Sequence, residues 1–188
     1  MSINQGRVLL PIARSSISQA LGRPHAADQE SSWLMEQGAC FVTLTQNGEL
    51  RGCIGTLEAH RSLLSDVKAN ALAAAFRDPR FIPLVEHELD YTEIEVSVLS
   101  PMQALNFSGE QDALAQLQPG IDGVVFEYGA HRSTFLPQVW EQLPDTVEFM
   151  AHLKYKAGLK PAFWAEGVRL YRYTVSKWKE RDFIGKTV

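Results

Sequence analysis

The sequence predicts a mixed fold of α-helices and antiparallel β-strands, and three observations carry that prediction. First, Asn47-Gly48 separates two runs rich in β-formers, 40–45 and 50–54. Both residues tolerate the positive φ of a type I′ turn, so the segment is a hairpin. Second, apolar residues recur at helical spacing over 7–21 and 62–77. Third, residues 91–99 alternate strictly, as a half-buried antiparallel strand does.

In chain order, the first helix places Leu10, Ala13, Ile17 and Leu21 on one side. Gly22 can close it and Pro24 prevents its return. A polar connector follows over 23–31. With Asn47 and Gly48 as the hairpin loop, Gln46 faces Glu49, Thr45 faces Leu50 and Val42 faces Cys53. Alternation then puts Cys40, Val42, Leu44, Arg51 and Cys53 on one face, and Phe41, Thr43, Leu50 and Ile54 on the other. Both faces are partly apolar, so cover on both sides is expected.

The second helix is capped by Ser62, with Leu64, Val67, Ala71, Leu72 and Ala75 as its buried stripe. Asp78-Pro79 stops it. In the strand 91–99, Ile94, Val96 and Val98 point one way and Glu93, Glu95 and Ser97 the other. Pro101 ends it. A short helix over 110–118 precedes a second hairpin, 124–127 with 133–136, around Gly129. Helices over 139–143 and 146–158 follow, the latter closed by Gly158, and 168–175 is a final strand. The basic tract 177–181 is expected to be a solvated terminal segment.

The composition excludes several function classes. The chain has 188 residues, 45% hydrophobic and 21% charged, with a formal net charge of -4. That is ordinary globular composition, sufficient for one large domain or two small lobes. The apolar runs are too short for a membrane span, and residues 2–6 lack the pattern of a secretory signal. The acidic balance disfavours nucleic acid as a partner. Two cysteines, Cys40 and Cys53, suit a reducing cytoplasmic compartment, with both thiols free. The five histidines form no metal-ligand spacing. No metal or cofactor is expected.

The segment 50–56, Leu-Arg-Gly-Cys-Ile-Gly-Thr, resembles the signature of the AMMECR domain family, whose prokaryotic members are called AmmeMemoRadiSam system protein A. Further blocks stand in family order at 41–44, 74–81, 93–101, 119–123, 134–140 and 156–159. The resemblance spans nearly the whole chain and implies a single AMMECR domain over 1–188. It implies an α+β fold of two interleaved lobes, each built on antiparallel strands, with the signature near their junction. No linker in the sequence marks the internal boundary. The resemblance also implies a Memo-like protein and a radical SAM protein as partners. It implies no particular reaction.

Within the signature, Cys53 is the one strong nucleophile. Arg51 could favour its thiolate or bind an anion, and Glu95, paired on its strand face with Glu93, could serve acid–base work. Gly52 and Gly55 would let a ligand approach closely, with Thr56 beside them. The plainer alternative makes Cys53 a small buried hydrophobe, the glycines packing devices and the glutamates a solvated sheet face. A bulge at Gly52 would alter the relation of Arg51 to Cys53. Asp78 and Arg80 are expected to form a surface ion pair. His131 and His152 lack a partner for a Cys–His dyad, and Trp140 and Trp164 are expected in the core. Two functions remain. One is an accessory or substrate-binding component for the Memo-like and radical SAM partners. The other is a cysteine-dependent enzyme with Cys53 at an interlobe cleft.

Overall fold

The computed structural model describes residues 3–23 and 25–183. Its helices are α1 (Ile3–Ala20), α2 (Leu63–Phe76), α3 (Glu110–Ala115) and α4 (Thr146–Lys156). Its strands are β1 (Cys40–Gln46), β2 (Glu49–Gly55), β3 (Thr92–Leu99), β4 (Gln103–Ala104), β5 (Gly123–Tyr128), β6 (His131–Phe135), β7 (Arg169–Tyr173) and β8 (Val175–Lys179). Short 3-10 turns occupy Glu86–Tyr91 and Pro137–Glu141, among others. The chain divides into two compact units, Met1–Leu99 with Ser176–Val188, and Ser100–Val175. Each is built on a four-stranded antiparallel sheet with helices, so the α+β class holds. No helix among the described residues is long and apolar enough to cross a membrane.

In the first unit the strand order is β2-β1-β3-β8. Leu9, Ile12 and Ile17 of α1, and Val67 and Ala71 of α2, pack with Cys40, Val42, Leu44, Ile94 and Val96 of the sheet. Burying each large aliphatic side chain contributes about 2 kcal/mol. The helix α1 begins earlier than its spacing indicated and continues through Pro11; Pro24 lies outside the described residues. Ser62 caps α2 by accepting the Ser65 N–H. The buried stripe of α2 is turned from the expected one. Leu64 and Leu72 are only half-buried, while Asp66 and Asn70 are buried. Hydrophobicity could not show this, because two polar residues occupy core positions through hydrogen bonds.

The tract 177–181 corrects the expectation of a solvated tail. Its first part belongs to β8, which joins the first sheet beside β3, and Trp178 is 7% exposed in the first core. The expected final strand 168–175 thus ends at Tyr173, and the chain then returns to the first sheet.

In the second unit the order is β4-β7-β5-β6. Phe126 of β5, Phe149, Met150 and Leu153 of α4, and Trp140 form its core. Trp140 stacks on Phe149 with ring centroids 3.6 Å apart, and its Nε1 donates to the Asp122 carbonyl at 2.7 Å. Asp145 caps α4 by accepting the Val147 and Glu148 N–H groups.

Candidate functional site

The signature lies on β2, an edge strand, and one irregularity decides where its side chains go. Gln46 pairs with Glu49 and Thr45 with Leu50, as the hairpin loop requires. Asn47 and Gly48 take φ of 53° and 85° there. Next, however, Leu44 pairs with Gly52, Thr43 with Cys53 and Val42 with Ile54. Arg51 is the extra residue of a β-bulge, and every pairing beyond it slips by one. A one-residue slip moves side chains to the opposite face. Cys53 therefore shares the face of Thr43, not that of Cys40, Val42 and Leu44. The two cysteines lie on opposite faces of the sheet and both are free. Cys40 is fully buried, and burial, with the Asp66 carboxylate's charge, pushes its thiol well above the ordinary range.

Cys53 is half-buried. Its Sγ lies 3.1 Å from Thr43 Oγ1, in hydrogen-bonding contact. Its main chain is held on the open edge of β2 by the segment after α2. The Cys53 N–H donates to Asp78 Oδ2 at 2.8 Å, and Arg80 Nη2 donates to the Cys53 carbonyl at 3.2 Å. Arg80 also grips Asp78 through Nε and Nη2. Asp78 is 4% exposed while the Arg80 side chain is 54% exposed, so the expected ion pair is present and its buried carboxylate clamps the edge of β2. The Arg80 guanidinium, with the backbone donors, holds the Asp78 carboxyl far below the usual carboxylate range.

Arg51 is directed elsewhere. Its Nε and Nη2 donate to the two carboxylate oxygens of Glu88, each at 3.0 Å. Its guanidinium carbon lies 6.0 Å from the Phe81 ring centroid. Both partners are largely buried, with side chains 10% and 13% exposed. The expected Arg51–Cys53 partnership gives way to this bidentate pair because the bulge turns Arg51 out of register. Glu88 is held at about 2 by Arg51, with help from the Val85 N–H and Gln46.

The remaining signature residues have packing partners. A Cβ on Gly52 would stand 2.2 Å from the Ala74 carbonyl oxygen, so only glycine lets β2 lie this close to α2. A Cβ on Gly55 would stand 2.2 Å from the Phe41 ring. Thr56 Oγ1 donates to Asp66 and accepts from Asn70. Asp66 also accepts from the Cys40 N–H and from Arg61, so the end of the signature is tied to α2 by a buried network.

Glu95 does lie with Cys53. Thr43 pairs with Cys53 on one side and with Glu95 on the other, so the three residues form a row across β2, β1 and β3. Two strand spacings separate the Cys53 and Glu95 backbones by roughly 10 Å. Lys179 and Lys177 of β8 extend the row, with Nζ atoms 3.3 and 3.8 Å from the Glu95 carboxylate. Glu93 pairs with Arg181, which holds its carboxyl below the ordinary range. The two glutamates thus meet basic side chains and do not form a bare carboxylate pair. His131 and His152 are exposed. Among the described residues, no group of three or more His, Cys, Asp or Glu is placed to hold a metal ion.

A family model described as AMMECR1 matches residues 10–178. This chain belongs to the AMMECR1 family. Among its relatives, Protein MJ0810 of Methanocaldococcus jannaschii is 34% identical, covering 100% of this chain and 96% of the relative. A protein of Methanothermobacter thermautotrophicus is 35% identical, with 96% of each covered. The crystal structure of uncharacterized protein PH0010 from Pyrococcus horikoshii is similar, with a TM-score of 0.78 at 31% identity, covering 96% of this chain and 93% of that one. In this AMMECR1 chain, Thr43 and Glu88 were not legible as site features, the bulge considered at Gly52 falls at Arg51, and the expected Asp78–Arg80 pair carried no sign of its hold on Cys53. The hairpin loop gives register only up to the bulge, and the clamp joins segments 25 residues apart.

Proposed function

We propose that this AMMECR1-family chain is an accessory or substrate-binding component acting in the cytoplasm with Memo-like and radical SAM partners. The row Cys53–Thr43–Glu95–Lys179 serves as its recognition face. One observation carries this reading: the signature arginine is committed to Glu88, while the thiol's neighbour is a threonine hydroxyl. A hydroxyl is a poor base for a thiol, so the arrangement suits contact and positioning better than nucleophilic attack. Free thiols suit a reducing compartment. Crosslinking and co-purification of the full chain with both candidate partners test the proposal. Recovery of a complex that Lys177→Glu with Lys179→Glu weakens is expected. Absence of any complex with either partner overturns it.

A second reading, a cysteine-dependent enzyme, draws on the half-buried Cys53 and its clamped backbone, with Sγ in contact with Thr43 Oγ1. Metabolite comparison of hosts carrying Cys53→Ser and Cys53→Ala within the whole gene cluster separates the two. Accumulation of one small molecule in both variants, with partner binding intact, favours the enzyme.

A further inference from the structure

The second unit contains a cavity that the signature does not touch. Its volume is about 260 Å³, and it is lined by Ser100, Gln103, Gln118, Ile121, Asp122 and Arg172, with Tyr173 and Thr174 completing the wall. Asp122 is 3% exposed. Its Oδ2 accepts the Gln118 N–H at 2.9 Å, and no cation pairs with it among the described residues. Arg172 faces the same space. Among the described residues its side chain makes one long donation, from Nη1 to the Gln116 carbonyl at 3.3 Å. Asp122 and Arg172 therefore line one cavity, and no ion pair joins them among the described residues.

A buried carboxylate without a cation is costly, and a guanidinium binds carboxylate in a planar fork. A ligand bearing both an ammonium and a carboxylate would satisfy both groups at once. The volume falls below the range usual for drug-sized ligands and suits a molecule of a few heavy atoms. Ser100, Gln103, Gln118 and Thr174 add hydroxyl and amide contacts. Gly123, next to Asp122, leaves room for the Tyr173 ring, since a Cβ there would stand 2.4 Å from it. Tyr173 is in turn anchored at Thr134 and Phe135, so the cavity wall is fixed.

We propose that this cavity binds a free α-amino acid, with its carboxylate on Arg172 and its ammonium on Asp122. The site is independent of the recognition face and does not rest on the partner reading.

Calorimetry of the full chain against each proteinogenic amino acid tests it, with propionate and ethylamine as single-charge controls. Saturable binding of at least one amino acid is expected, weakened tenfold or more by Arg172→Gln and by Asp122→Asn. Asparagine keeps an acceptor for the Gln118 N–H, and an unchanged Tm shows that each variant is folded. Amide shifts should move at residues 100, 103, 118, 121, 122 and 172–174. No saturable binding by the wild-type chain overturns the proposal. So does binding that survives Arg172→Gln, or propionate binding as tightly as alanine.

Discussion

Thr43 Oγ1 and Cys53 Sγ touch at 3.1 Å across β1 and β2, and this contact exists because Arg51 takes no partner in the ladder. Had the hairpin kept its register, Cys53 would have followed Val42 into the core. The bulge keeps the thiol on the outer face and sends the arginine to Glu88.

That difference in face predicts a difference in reactivity. Iodoacetamide should modify Cys53 in the native protein, while Cys40, fully buried beneath α2, should react only after unfolding. Peptide mass mapping after timed alkylation reads both. Equal protection of the two thiols would remove Cys53 from any recognition face.

The two signature glycines should differ in tolerance. Gly52→Ala drives a Cβ into the Ala74 carbonyl, part of a helix backbone that cannot move alone. A loss of about 2–4 kcal/mol is expected in urea unfolding. Gly55→Ala meets the Phe41 ring instead, and Phe41→Ala should recover much of its loss. If Gly52→Ala unfolds like the parent, the close approach of β2 to α2 is not what the glycine serves.

Much of the fold was legible because its signals are local. Asn47-Gly48 fixed a turn, Ser62 a helix start, and the alternation of Ile94, Val96 and Val98 a strand. What escaped depends on tertiary partners. Asp66 and Asn70 occupy core positions because Cys40, Thr56 and Arg61 complete their hydrogen bonds. The strand β8 was hidden because its lysines look like a solvated tail until Glu95 is placed beside them. The site was read in part. Cys53 and Glu95 do share a face, but through a slipped register, and the residue joining them, Thr43, carried no signal of its own.

If the row is a recognition face, its charge should matter more than its stability. Lys177→Glu with Lys179→Glu puts two carboxylates around Glu95 where two ammoniums stood. Surface ion pairs contribute only about 0–1 kcal/mol each. The double variant should therefore stay folded yet lose partner capture in a pull-down at low salt. Undiminished capture would place the contact elsewhere.

The Arg51–Glu88 pair predicts how stability changes with pH. Glu88 titrates at about 2 in the folded chain against an ordinary 4.5. Below pH 4.5 the unfolded chain therefore binds the proton more readily, so stability rises with pH. The contribution is present above about pH 5 and is lost as pH falls toward 2. It is on the order of 3 kcal/mol at neutral pH. Asp78, depressed by Arg80, acts with the same sign. Glu88→Gln should lower stability at pH 7, and its gap from the parent should close as pH approaches 2. Urea midpoints at a series of pH values measure that convergence. Parallel curves for parent and variant would mean that Arg51 does not draw its stability from the charge of Glu88.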